Sequence, residues 1–184
     1  MAEAAALQAI GGGYSNIRQA ASHIIFVMPN RGNNFVGSAE VCPSGVSGTS
    51  FFGDTYALSL SVLMHELAHN LNMRHAGKDG NTYGDTSGMM GISSGQTDGN
   101  PLQCYNACNH WTLGWFQSNR LDLSGGVGGP QIVHIAAFVD ADQAGSGQYV
   151  LVKLPGSLYL HRYFISIVQA DTPCPWIYPI SILI

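Results

Sequence analysis

Four residues in one short stretch have the types and spacing that metal chemistry needs. They are His65, Glu66, His69 and His75, within His65-Glu66-Leu67-Ala68-His69-Asn70-Leu71-Asn72-Met73-Arg74-His75. Histidines four apart on a helix project from one face a turn apart, so both imidazoles can reach a single ion. Glu66 sits beside them, where a carboxylate can take a proton from a metal-bound water and return it to a leaving amine. Zinc suits such a set because imidazole binds it well, and because it polarises a carbonyl and draws the pKa of its water towards ~7. A catalytic zinc keeps three protein ligands and an open position, which makes His75 the candidate third ligand.

The elements around these residues must deliver that geometry. Leu60, Leu63, Met64, Leu67 and Leu71 recur at helical spacing, so a helix is expected over 55–71, with Asp54 as its N-cap. A helix continuing past Leu71 would carry His75 to the far side, so the chain must turn sharply there. Residue 72 is the natural left-handed position of that turn, and Asn72 is the residue that adopts positive φ most readily after Gly. Upstream, His23 to Met28 reads as a buried strand closed by Pro29, and Phe35 to Val41 and Thr49 to Phe52 read as two shorter strands. Residues 76–103 show no sustained period and read as a long ordered loop. Asn106 to Phe116 reads as a second helix. The runs 132–139, 149–154 and 159–168 read as strands of a β-rich segment beyond the Gly-rich break at 124–129. The last dozen residues match no element. Residues 1–122 are expected to form the catalytic domain and 123–184 a β-rich C-terminal segment.

Composition narrows the partners. The chain has 184 residues, 46% of them hydrophobic and 10% charged, with a formal net charge of -4, and this describes a globular domain. Seven scattered Lys and Arg form no phosphate-binding surface, so nucleic acid is not an expected partner. No apolar run approaches membrane-spanning length, and the first residues lack the pattern of a secretory signal. Cys42, Cys104, Cys108 and Cys174 are even in number, which admits disulfides in any of three pairings or thiols in a reducing compartment. His23, His110, His134 and His161 each stand alone in apolar or aromatic surroundings and read as structural.

Three motifs in order carry a family resemblance. After His65 to Ala76 come Tyr83-Gly84-Asp85-Thr86-Ser87-Gly88-Met89-Met90-Gly91 and Asn106-Ala107-Cys108-Asn109-His110-Trp111-Thr112-Leu113-Gly114-Trp115. Together they resemble the gametolysin family of metzincin zinc peptidases, over about residues 23 to 116 and more loosely to about 168. Asn72 stands where that family usually has Gly. The segment before His23 is shorter than the pattern, which reads as a fragment or an altered gene model.

The resemblance implies an α/β (α+β) fold. Its twisted mixed sheet would have an antiparallel edge strand and would be backed by the active-site helix, with a Met-turn and a second helix following. It implies Zn2+ on His65, His69 and His75, Glu66 as general base, and Met90 as the Met-turn residue with Met89 as the competing choice. The implied activity is a metalloendopeptidase acting outside the cell on matrix or cell-wall glycoproteins, with substrate extended along the edge strand. Tyr83 and Tyr105 are the two candidates for the oxyanion donor. A truncated, inactive relative serving as a matrix-binding module is the alternative, and retention of Glu66 argues against it. A zinc hydrolase of small amides or esters ranks last, because the Met-turn and tryptophan-helix motifs oppose it.

Overall fold

The computed structural model describes residues 2–29, 35–42, 48–86, 88–91, 104–126, 128–154, 163–165 and 180–183. The chain divides into two compact units, Met1–Tyr105 and Asn106–Ile184. Sequence analysis had set the boundary at 122. The helix Ala107–Leu113 belongs instead with the later strands, because Ala107 and Trp111 share a core cluster with Val150 and Leu151.

The first unit opens with an alanine-rich helix, α1 (Ala2–Ile10), which stops at Gly11, Gly12 and Gly13, all at positive φ. Three strands follow: β1 (His23–Met28), β2 (Gly37–Ala39) and β3 (Gly48–Gly53). They form one sheet in the order β1-β3-β2, with β1 parallel to β3 and β2 antiparallel to it. This is the expected mixed sheet with an antiparallel edge strand, and the family's α/β architecture is present. The edge strand is shorter than the run 35–41 read from sequence. Only Gly37 to Ala39 pair with β3, although the Glu40 amide still donates to the Thr49 carbonyl.

Helix α2 (Leu60–Asn70) starts five residues later than expected. Asp54 spends its Oδ1 on the amide and hydroxyl of Thr55, and Tyr56 and Ala57 donate to the Gly53 carbonyl in a turn, so Ser59 occupies the N-cap position. An 11-residue helix is marginal alone. It depends on packing, yet the face it buries holds Glu66, His69 and Asn70 as well as Val62 and Ala68. Burying polar groups is costly unless they are hydrogen-bonded. Asn70 meets that demand: its amide donates to the carbonyls of Glu40 and Thr49 at 2.9 and 3.3 Å, and its Oδ1 accepts from the Ser50 hydroxyl at 2.9 Å. Gly48 leaves the room, since a Cβ there would collide with the Asn70 side chain.

In the second unit α3 (Ala107–Leu113) is capped by the Asn106 side chain, which accepts from the Asn109 amide, and ends at Gly114 with φ 73°. Strands β4 (Arg120–Asp122), β5 (Ile132–Ile135), β6 (Gln148–Tyr149), β7 (Leu151–Leu154), β8 (Tyr163–Ile165) and β9 (Ile180–Leu183) form two sheets, ordered β4-β7-β8 and β6-β5-β9. Leu123, Val133, Ile135 and Val152 pack between them. The expected strand 132–139 ends at Ile135, and Phe138–Gln143 forms a 3-10 helix instead. The C-terminal end, which matched no element, supplies β9, antiparallel to β5. Lys153, nearly buried, pairs with Asp122 at 2.6 Å and lies over the Trp111 ring. No helix among the described residues is long and apolar enough to cross a membrane.

Candidate metal centre

The end of α2 is built to turn the chain back on itself. The Met73 amide donates to the Ala68 carbonyl and the Asn72 amide to the His69 carbonyl, a Schellman arrangement, and Asn72 is at φ 68°. That left-handed residue is the one expected from sequence. It returns the chain so that His75, six residues after His69, comes back to the same place. The ligand-capable nitrogens of His65, His69 and His75 all lie within 4.8 Å of one another.

Backbone carbonyls orient two of the three rings. His65 Nδ1 lies 2.9 Å from the Met89 carbonyl, and His69 Nδ1 lies 2.7 Å from that of Met73. A carbonyl can only accept, so in each ring Nδ1 carries the proton and Nε2 keeps its lone pair. His69 Nε2 lies 3.1 Å from His75 Nε2. Two imidazoles meeting nitrogen to nitrogen suit a shared cation, since tetrahedral zinc ligands at ~2.0–2.1 Å from the ion stand about 3.4 Å apart. Burial, then the proximity of the other two rings, pushes His75 down to about 4, and burial above all lowers His65. Both are therefore neutral at physiological pH, the form that ligates a metal. The donor set of three imidazoles fits zinc.

Glu66 is 8% exposed, and among the described residues its carboxylate has no hydrogen-bond partner. Burial pushes it up to about 7. Its neighbour is Gly37 of the edge strand, where an added Cβ would stand 2.9 Å from Glu66 Cγ and 3.0 Å from Oε1. Glu66, His69 and His75 share a cleft of about 260 Å³ with Gly37, Ser38, Ala39 and Val41 on one side and Arg74 and Tyr83 on the other. Sequence reasoning passed over Gly37 and Arg74. The only signal for Arg74 was its place in the turn beside His75, and Gly37 carried none.

Backbone hydrogen bonds tie together the described residues that follow His75. Asp85 donates to the Ala76 carbonyl, Ala76 donates to the Met90 carbonyl at 2.7 Å, and Met89 donates to the Cys104 carbonyl. Met89 and Met90 are both buried, at 1% and 0% exposure. Met89 contributes the carbonyl that holds His65, while Met90 anchors the strand of chain leading out of His75. Of the two tyrosines, Tyr83 lines the cleft with its ring centroid 4.1 Å from that of His75. Tyr105 is engaged elsewhere, donating to the Met64 carbonyl at 2.9 Å. His110 is buried in the second unit against Trp115, Phe116 and Phe138. His23 and His134 are exposed strand residues, and His161 lies outside the described residues. Cys42 is buried while Cys104 and Cys108 are exposed, and Cys174 also lies outside.

A mixed sheet, a helix presenting two histidines and a buried carboxylate, and a tight turn returning a third histidine define a site able to ligate a metal beside an acidic group. The gametolysin peptidase M11 family model matches residues 1–157, and the chain belongs to that family. It is also similar to a protein named autolysin from Chlamydomonas reinhardtii, 31% identical over 99 residues, which is 53% of this chain and 15% of that relative. The matched stretch therefore spans well under a quarter of the relative's length. No solved structure matches the chain.

Proposed function

We propose that this chain is a zinc-dependent metalloendopeptidase whose ligands are His65, His69 and His75 and whose general base is Glu66. The observation that carries the proposal is a buried carboxylate, with no hydrogen-bond partner among the described residues, in one cleft with His69 and His75, whose ligand atoms converge with that of His65. Bound zinc would polarise the scissile carbonyl and acidify a water molecule. Glu66 then takes the proton of that water as it attacks and delivers it to the amide nitrogen that leaves. A carboxyl poised near neutral pH can do both. Gly37 lets the edge strand approach the base closely, and among the described residues no strand pairs with the outer side of β2, where a peptide could add as a further strand. The substrate is then an extended protein segment. Matrix or cell-wall glycoproteins outside the cell are the class that the family resemblance favours.

The test is metal content and cleavage of an unstructured protein for the wild type and Glu66→Ala, each with and without a chelator. One zinc per chain in both, with chelator-sensitive cleavage by the wild type alone, is the expected result. Zinc without cleavage by either protein would favour the binding-module alternative, and no zinc would overturn the ligand set.

A further inference from the structure

We infer that Tyr83 is a catalytic residue whose phenol donates a hydrogen bond to the oxygen of the scissile carbonyl as negative charge builds on it. The inference rests on the peptidase reading above and deepens it. Water attack on a peptide carbonyl converts the carbonyl oxygen to an oxyanion, and a positioned donor at that oxygen is usually a large contributor to rate.

The cleft offers few donors. The carboxylate of Glu66 can only accept once it has to act as base, and the Nε2 atoms of His69 and His75 are turned towards each other. Side chains alternate along a strand. Gly37 faces Glu66, which places Ala39 on the same side of β2 and the Ser38 hydroxyl on the opposite one. The remaining side-chain donors of the cleft wall are Tyr83 and Arg74.

Tyr83 is the better held of the two. Its amide donates to Asn81 Oδ1 at 3.0 Å, within the tight turn that includes the Lys78 and Asn81 bridge. Its ring lies on His75 at 4.1 Å and faces His65 at 6.3 Å between centroids. Tyr83 is 38% exposed, and among the described residues its hydroxyl has no hydrogen-bond partner, which leaves that donor available to a substrate. Tyr105, whose hydroxyl is committed to the Met64 carbonyl, shows what a structural tyrosine of this unit does with its donor. Arg74 sits on the exposed turn, and among the described residues no hydrogen bond or ion pair fixes its long side chain.

The test compares wild type, Tyr83→Phe and Arg74→Gln as zinc-loaded full chains on one peptide substrate. Phenylalanine keeps the ring against His75 and removes only the donor. The expected result for Tyr83→Phe is kcat lower by about 10²–10³-fold with KM within about twofold, which is the loss reported by removing one oxyanion donor. Its affinity for a phosphinic peptide mimicking the tetrahedral intermediate should fall by a similar factor, while affinity for the cleaved product and for zinc stay unchanged. Unchanged kcat in Tyr83→Phe overturns the inference. So does weakened zinc retention against a chelator, which would make the phenol a metal ligand or a support for His75. A kcat loss confined to Arg74→Gln gives the role to the guanidinium instead. Absence of cleavage by the wild type would fail the peptidase reading itself, an outcome distinct from active wild type with active Tyr83→Phe.

Discussion

Glu66 combines burial with the lack of a hydrogen-bond partner among the described residues, and that cost has a pH signature. Its carboxyl stands at about 7 in the folded chain, against about 4.3 when unfolding returns it to water. Between those values the folded chain holds a proton that the unfolded chain has released. Stability of the metal-free protein is therefore full below the lower value and falls as pH rises through the upper one. Glu66→Gln removes this dependence, so its metal-free melting temperature should exceed that of wild type at about pH 8 and match it at about pH 5. A variant that melts below wild type at the higher pH would show that Glu66 is not held as an unpaired charge. Gly37 offers a second residue-level test. A methyl group there would push on Cγ and Oε1 of Glu66, and the carboxylate would have to swing away from the cleft. Gly37→Ala should lower kcat by at least ~10-fold, as small misplacements of catalytic groups do, and leave zinc stoichiometry at the wild-type value.

At the scale of elements, α2 and its C-terminal turn do most of the positioning. Asn72 holds φ 68°, a conformation in which a residue with an ordinary Cβ loses about 1–2 kcal/mol. Asn72→Gly should therefore preserve stability and zinc affinity. Asn72→Val should destabilise the fold by about that amount and weaken zinc binding, measured by denaturation and by chelator competition. The turn was legible in the sequence because it is local: the spacing of His69 and His75 demanded a reversal just after Leu71, and Asn72 suited that position. The helix start was not. Asp54 is a good N-cap by type, but it bonds to its neighbour Thr55, and the chain makes a turn before Ser59. Longer-range features were equally silent. Nothing in residue types connects the Met89 carbonyl to His65, the Tyr83 ring to His75, or the C-terminal strand β9 to β5. The first and last join segments far apart in the chain, and the second spans an irregular loop, so short-range period and propensity say nothing of any of them. The mixed sheet and the convergence of the three histidines were legible because a motif, not a periodicity, carried them.

For the whole molecule, the site lies entirely within the first unit, Met1–Tyr105. Zinc that binds only the folded chain stabilises it by about 2.7 kcal/mol when free metal is 100 times Kd. Hydrogen exchange should therefore slow on zinc binding at α2, the turn after it and the segment up to Gly91. Strands β4 to β7 should change little. Equal protection in both units would mean that the two behave as one cooperative body.

The two imidazole-to-carbonyl bonds have one more consequence. The Met73 and Met89 carbonyls hold the rings of His69 and His65, and the Schellman turn sets the backbone that carries His75. These protein contacts orient the ligands whichever ion binds. Metal exchange should run at the pace at which an ion sheds its water, with no refolding phase, so cobalt could replace zinc in a chelated sample and report the ligand set by its colour.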